Sequence, residues 1–283
     1  MSDVRATIVE AIEAALAGGS AVVVATVIDV GEQPGIVLGG KLLVRRDRSE
    51  VGEIGGGAIE EAVREAARNA LDEWPRLEAQ TIYVAAEGGA VARRSQARPG
   101  DARVMIEVHE APGQLLVVGG GHVGLALATM GHLLGFSVTV VDDRPEFANV
   151  ARFAMAEQVL VGEPGELLDG FEVNERTHAV LVSRGHQLDE QGLRHLVGRG
   201  AAYVGMIGSR RRTATVLQHL ADEGLAVEDL EVVHTPIGLD IGAETPEEIA
   251  LAILAEMVMK RRGGAGRPMR EVKGRAVLRP PGA

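Results

Sequence analysis

The sequence predicts an α/β protein in which a smaller N-terminal α/β domain precedes a domain built on a doubly wound parallel sheet. Three observations carry this. First, Leu115-Leu116-Val117-Val118 runs directly into Gly119-Gly120-Gly121-His122-Val123-Gly124, a G-x-G-x-x-G pattern on Gly119, Gly121 and Gly124. Second, an apolar helical pattern follows, and a second apolar strand then ends on Asp142, 23 residues after Gly119. This is the order of a nucleotide-binding βαβ unit: one glycine for the tight turn, one for backbone approach to a phosphate, one for helix–strand packing, then an acid at the ribose position. Third, strand and helix patterns alternate through the second half, as a parallel sheet covered on both faces requires. The second domain is therefore expected to be Rossmann-like.

The elements follow in order. Val4, Ile8, Ile12, Ala15 and Leu16 share one helical face, so residues 4–17 read as an amphipathic helix stopped by Gly18-Gly19. Residues 21–28 are β-branched and read as a buried strand, 31–35 as a loop, and 41–46 as a second strand. The glycine-rich stretch 52–57 leads into a helix at 58–71, and strands are expected at 81–85 and 103–109. Ala111-Pro112-Gly113 then breaks the pattern. Beyond it, strands are expected at 114–118, 137–141, 158–161, 179–182 and 202–207, and helices at 122–134, 145–152, 189–199, 209–222 and 246–261. The last helix carries Thr245-Pro246-Glu247-Glu248, with an N-cap threonine, proline at N1 and a capping-box glutamate. The expected division is 1–110, 113–262 and a Gly-, Pro- and Arg-rich mobile tail at 263–283.

Composition narrows the function. The chain has 283 residues, 40 acids against 29 bases and a net charge of −11, which disfavours nucleic acid and anionic membrane as partners. Cysteine is absent, which removes disulfides, thiolate metal sites, persulfide chemistry and cysteine nucleophiles from this chain. No signal-peptide pattern opens the sequence and no apolar run nears ~18 residues, so a cytoplasmic location is expected. Aromatic residues are only 2%, so a heterocycle would be held mainly by backbone and aliphatic walls.

Ligands of a doubly wound sheet bind at the carboxyl ends of its strands. Four loops are expected there. Gly119, Gly121, His122 and Gly124 form the first, where the helix N-terminus favours an anion. Asp142 and Arg144 belong to the second; Asp142 reads either as a ribose-binding acid or as a turn cap. His186 and Asp189 belong to the third, where Asp189 reads equally as the N-cap of the next helix. Ser209 and Arg210, with Arg211 and Arg212, form the fourth, either a phosphate clamp or a solvated face. In the N-terminal half, Gly55, Gly56 and Gly57 before a helix form a candidate nest of N–H groups for an oxyanion, with Lys41 as counter-charge. No spacing of His, Asp or Glu suggests a catalytic metal centre, and no nucleophile elbow is present.

These residues, with Arg184-Gly185-His186-Gln187-Leu188-Asp189, Gly205-Met206-Ile207-Gly208-Ser209-Arg210-Arg211 and above all the string from Thr235 to Ala250, resemble the XdhC/CoxI family, the accessory proteins of molybdenum hydroxylases such as xanthine dehydrogenase. The resemblance spans roughly residues 4–262. It implies a non-catalytic chaperone that binds the molybdenum cofactor (molybdopterin) during sulfuration by a cysteine desulfurase partner, assists insertion into the hydroxylase client, and forms a homodimer. The family's N-terminal motif reads Ser-Gly-Gly-Cys before an acidic residue; the matching positions here are Gly55, Gly56, Gly57 and Ala58. The rival readings are an NAD(P)-dependent oxidoreductase, favoured by the βαβ fingerprint, and a nucleotide-sensing interaction protein.

Overall fold

The computed structural model of the chain describes residues 2–72 and 78–274, apart from the side chains of Ser2, Asp3 and His186. The chain divides into two compact units, Met1–Pro112 and Gly113–Ala283.

The first unit contains α1 (Ser2–Leu16), β1 (Val22–Asp29), β2 (Lys41–Arg45), β3 (Glu50–Glu53), α2 (Gly57–Asp72), β4 (Ala79–Val84), β5 (Ala90–Val91) and β6 (Ala102–His109). Its sheet runs β3-β2-β1-β6-β4-β5, and every neighbouring pair is antiparallel. Side chains alternate across a strand, and the two faces have different partners. Val23, Ala25, Val27, Leu42 and Val44 pack with Ile59, Val63, Ala67 and Leu71 of α2. Val22, Val24 and Leu43 pack with Ile8 and Ala15 of α1. Burial on both faces explains why β1 reads as an unbroken β-branched run rather than an alternating one.

The second unit contains β7 (Gln114–Val118), α3 (His122–Leu133), β8 (Ser137–Asp142), β9 (Gln158–Val161), α4 (Pro164–Asp169), β10 (Thr177–Leu181), α5 (His186–Arg194), β11 (Tyr203–Met206), α6 (Arg210–Asp222), α7 (Val227–Glu231), α8 (Pro246–Arg262) and α9 (Met269–Lys273). The sheet is parallel throughout, in the order β11-β10-β7-β8-β9. Leu115, Val117, Val138, Val140 and Val180 meet α3 and α8 on one face. Leu116, Val118, Val141, Ala179 and Leu181 meet Leu168, Leu193, Val216 and Leu220, from α4, α5 and α6, on the other. The order reverses between β7 and β10, so the switch-point crevice of this Rossmann sheet opens at their carboxyl ends. His234 bridges Gly205 in parallel beside β11.

Several expectations change. No helix forms over 145–152: these residues form turns and a bend, with no helical residue. The Asn149 amide donates to the Pro145 and Glu146 carbonyls at 3.3 and 3.0 Å, and its Oδ1 accepts from the Arg152 N–H at 2.9 Å. A side chain bonded to nearby backbone in this way competes with helix formation. The helix expected at 189–199 begins at His186 and ends at Arg194. The strands β3 and β5 and the helices α4 and α7 are too short to give a periodic signal. Of the segment 263–283, residues 269–273 form α9 and 275–283 lie outside the described residues.

Candidate functional site

The glycine loop after β7 is fixed by close approach. Gly119 has φ of 116°, and a Cβ on it would lie 2.7 Å from the Val182 carbonyl. A Cβ on Gly124 would overlap the carbonyl oxygen of Gly119, so only glycine lets α3 start this close to the turn. Gly121 differs: a Cβ there would meet nothing within 4 Å. It is the N-cap of α3 and its cap carries no side-chain hydrogen bond. The first-turn N–H groups of a helix have no intrahelical acceptor, so at His122 and Val123 they present partial positive charge to the open side of the loop.

Asp142 lies at the end of β8 and is 4% exposed. Its Oδ2 accepts from the Gly120 N–H at 2.7 Å and from Arg144 Nη2 at 3.0 Å. Its Oδ1 accepts from the Arg144 N–H at 3.1 Å and from Arg144 Nε at 2.8 Å. Burial alone would raise this carboxyl, but the Arg144 guanidinium and the Gly120 N–H outweigh it and hold the pKa below its ordinary value. The Arg144 guanidinium also lies 3.7 Å above the Phe147 ring centroid. From the turn that replaces the expected helix, Arg152 donates to the carbonyls of Gly120 and Gly121 at 3.2 and 3.4 Å. Sequence reasoning misses Arg152, whose partners lie more than 30 residues away. Of the two sequence readings of Asp142, ribose-binding acid or turn cap, its four bonds are those of an anchor for the loop.

The loop after β10 flanks the crevice on the other side. Asp189 is not an N-cap; it sits in the first turn of α5, is 3% exposed, and its Oδ1 accepts from the Ser183 N–H at 3.2 Å. Gly185 is the N-cap, again without a side-chain cap. His186 is the first residue of α5, and its side chain lies outside the described residues. Arg184, 62% exposed, approaches Asp143 to 3.7 Å. Because β7 lies between β8 and β10, this pair spans the glycine loop. At α6, Ser209 is the N-cap and accepts from the Arg212 N–H at 3.5 Å. Arg210, Arg211 and Arg212 are exposed, and among the described residues none has an ion-pair partner.

The segment after His234 is tied to β11 and α8 by a polar lock that the sequence does not disclose. The Tyr203 hydroxyl donates to Glu256 Oε2 at 2.5 Å, and the Gly238 N–H donates to the same oxygen at 3.0 Å. His234 stacks on Tyr203 with centroids 4.4 Å apart, and its Nδ1 lies 3.4 Å from Glu256 Oε1. Burial lowers the His234 pKa and, with Glu256, raises that of Tyr203.

The remaining candidates belong to the first unit. Gly55, Gly56 and Gly57 all have positive φ, 137°, 77° and 71°. The chain supplies its own anion to this run. Glu60 Oε2 accepts from the N–H groups of Ile54 and Gly56 at 3.1 and 3.0 Å, and Glu60 Oε1 accepts from Arg64 at 2.9 Å. Burial pushes Glu60 up, but these donors bring its pKa below the ordinary value. Lys41, expected as a counter-charge, donates to Thr26 Oγ1 at 2.8 Å. Ala58 is exposed in the first turn of α2.

Fold and site define a class: a Rossmann-domain protein with a G-x-G-x-x-G loop, joined to an antiparallel α/β unit. The pattern of the XdhC Rossmann domain matches residues 115–257, and that of the XdhC and CoxI family matches residues 15–80. The chain belongs to the XdhC and CoxI family. It is 36% identical over 228 residues to an uncharacterized protein, YqeB, of Escherichia coli (strain K12), covering 80% of this chain and 41% of that protein. It is 30% identical over 159 residues to a probable xanthine dehydrogenase component of Bacillus subtilis (strain 168), covering 56% of this chain and 46% of that one. The chain thus matches less than half the length of either curated relative. A crystal structure of a xanthine dehydrogenase from Bacillus halodurans superposes with a TM-score of 0.53 at 19% identity, covering 93% of this chain and 97% of that one, a likeness of fold. Among the described residues, no helix is long and apolar enough to cross a membrane, and no group of three or more His, Asp or Glu is placed to hold a metal ion.

Proposed function

We propose that the chain is an accessory maturation factor for a molybdenum hydroxylase of the xanthine dehydrogenase type. It holds the molybdenum cofactor as cargo while a cysteine desulfurase partner sulfurates it, and then hands it to the hydroxylase. It works in the cytoplasm as a homodimer. The observation that carries this reading is electrostatic. In a chain of net charge −11, the carboxyl edge of the parallel sheet gathers the N-termini of α3 and α5, neither capped by a side chain, and the exposed Arg210, Arg211 and Arg212. Such an edge suits a dianionic phosphate, which the pterin cofactor carries. Family membership and the xanthine dehydrogenase name of one relative support the choice of client.

The residues fit one end of the cargo better than the other. Gly121, His122 and Arg210 are suited to hold the phosphate, while Asp142, Arg144 and Asp189 fix the loops that present it. The molybdenum–sulfur end is soft and suits a thiolate, but the chain has no cysteine and carries Ala58 at the family's thiol position. When bound, the cofactor supplies the metal and dithiolene sulfur; this chain supplies phosphate contacts, orientation and shelter. Sulfur delivery therefore falls to the partner.

Co-expression with a molybdenum hydroxylase tests the role. The hydroxylase should carry a higher fraction of cyanide-releasable sulfur when this chain is present. An equal fraction with and without the chain would overturn the reading.

A further inference from the structure

We infer that Arg144 is a specificity-determining residue that closes the ribose position of this Rossmann crevice, so that ligands read through a ribose diol, NADH and NADPH included, are excluded. The inference rests on the reading of the carboxyl edge as the ligand site, and it decides which ligand class that site refuses.

In dinucleotide-binding folds the acid at the end of the second strand accepts hydrogen bonds from the ribose hydroxyls. A carboxylate offers about four acceptor positions. On Asp142 all four are taken: one by the Gly120 N–H, one by the Arg144 N–H and two by the Arg144 guanidinium. A diol must displace charge-assisted bonds and offer neutral ones in return. The guanidinium has little room to withdraw. It is held between the Asp142 carboxylate and the Phe147 ring, 3.7 Å from its centroid, and its side chain is 17% exposed. Arg152 also holds the loop, through the Gly120 and Gly121 carbonyls. A 2′-phosphate gains nothing by drawing Arg144 away, because Asp142 would remain as a buried anion without its cation. The open part of the edge lies instead at Gly121, where a methyl group on the Cα would meet no atom within 4 Å.

The test is calorimetric titration of the full chain with NADH, NADPH and ADP-ribose, and of Arg144→Ala with the same ligands. The wild-type chain should give no saturable binding up to about 1 mM, and Arg144→Ala should gain NADH affinity by at least about tenfold, with its fold checked by circular dichroism. Saturable binding of any of the three to the wild-type chain below about 1 mM would overturn the inference, as would a folded Arg144→Ala that still binds none. If Arg144→Ala does not fold, Arg144→Met keeps the stem over Phe147 and removes the donors; the wild-type titration decides in either case. No pterin enters the experiment, so failure of the cofactor reading and failure of this inference are told apart.

Discussion

Gly121 and Gly124 belong to one fingerprint, yet their surroundings assign them opposite tolerances. Gly124→Ala forces a methyl into the Gly119 carbonyl and should cost about 1–3 kcal/mol in denaturant unfolding, the usual scale of overpacking. Gly121→Ala meets open space and should stay within about 1 kcal/mol of the parent, the scale of an N-cap change. The reverse ranking would contradict the packing described. The fingerprint itself is legible in the sequence, because glycine spacing is local. The role of Asp142 is not, since its donors come from Gly120, 22 residues away, and from an arginine whose orientation no pattern encodes. His178 is likewise silent in the sequence. It is 4% exposed on β10, meets Phe136 edge-on, and burial lowers its pKa from 6.5 to about 4. The unfolded chain therefore binds the extra proton between these values, so this contribution is intact above pH 6.5 and is lost as pH falls toward 4. The loss should amount to about 3 kcal/mol. Unfolding free energies of the parent and His178→Leu at both ends of that window check it: the variant should show a shallower decline, and equal slopes would refute the assignment.

At the scale of elements, the start of α8 shows how a short code becomes structure. The Glu248 N–H donates to Thr245 Oγ1 at 3.2 Å, the Thr245 N–H donates to Glu248 Oε2 at 3.0 Å, and Pro246 occupies a position that needs no donor. Thr245→Ala should cost about 1 kcal/mol, lowering the melting temperature by about 2–4 °C. No shift in a melting curve would show that the box does not bear on α8. This cap is readable because all its parts lie within four residues. The stretch 145–152 misleads for a related reason: its composition allows a helix, but Asn149 turns its amide onto the Pro145 and Glu146 carbonyls, and Arg152 is drawn to the glycine loop. Periodicity reports faces; it does not report a side chain that competes for the backbone.

At the scale of the whole molecule, the described residues build buried apolar clusters within Met1–Pro112 and within Gly113–Ala283. Fragments 1–112 and 113–283 should each unfold cooperatively when produced separately; a non-cooperative profile for either would show that it depends on the other. The glycine run at 55–57 lies in the first unit and the G-x-G-x-x-G loop in the second, and sequence alone offers both as anion sites. The structure separates them chemically: Glu60 already fills part of the first, while the α3 N-terminus stays open. This open terminus is where the cargo's phosphate is proposed to bind. The most direct measurement is pterin per protomer after co-expression with cofactor synthesis and gel filtration, for the parent chain and for Gly121→Val, with the fold of the variant verified by its melting curve. Pterin should co-elute with the parent and be lost from the folded variant. A parent chain without pterin, or equal pterin in both, would contradict it.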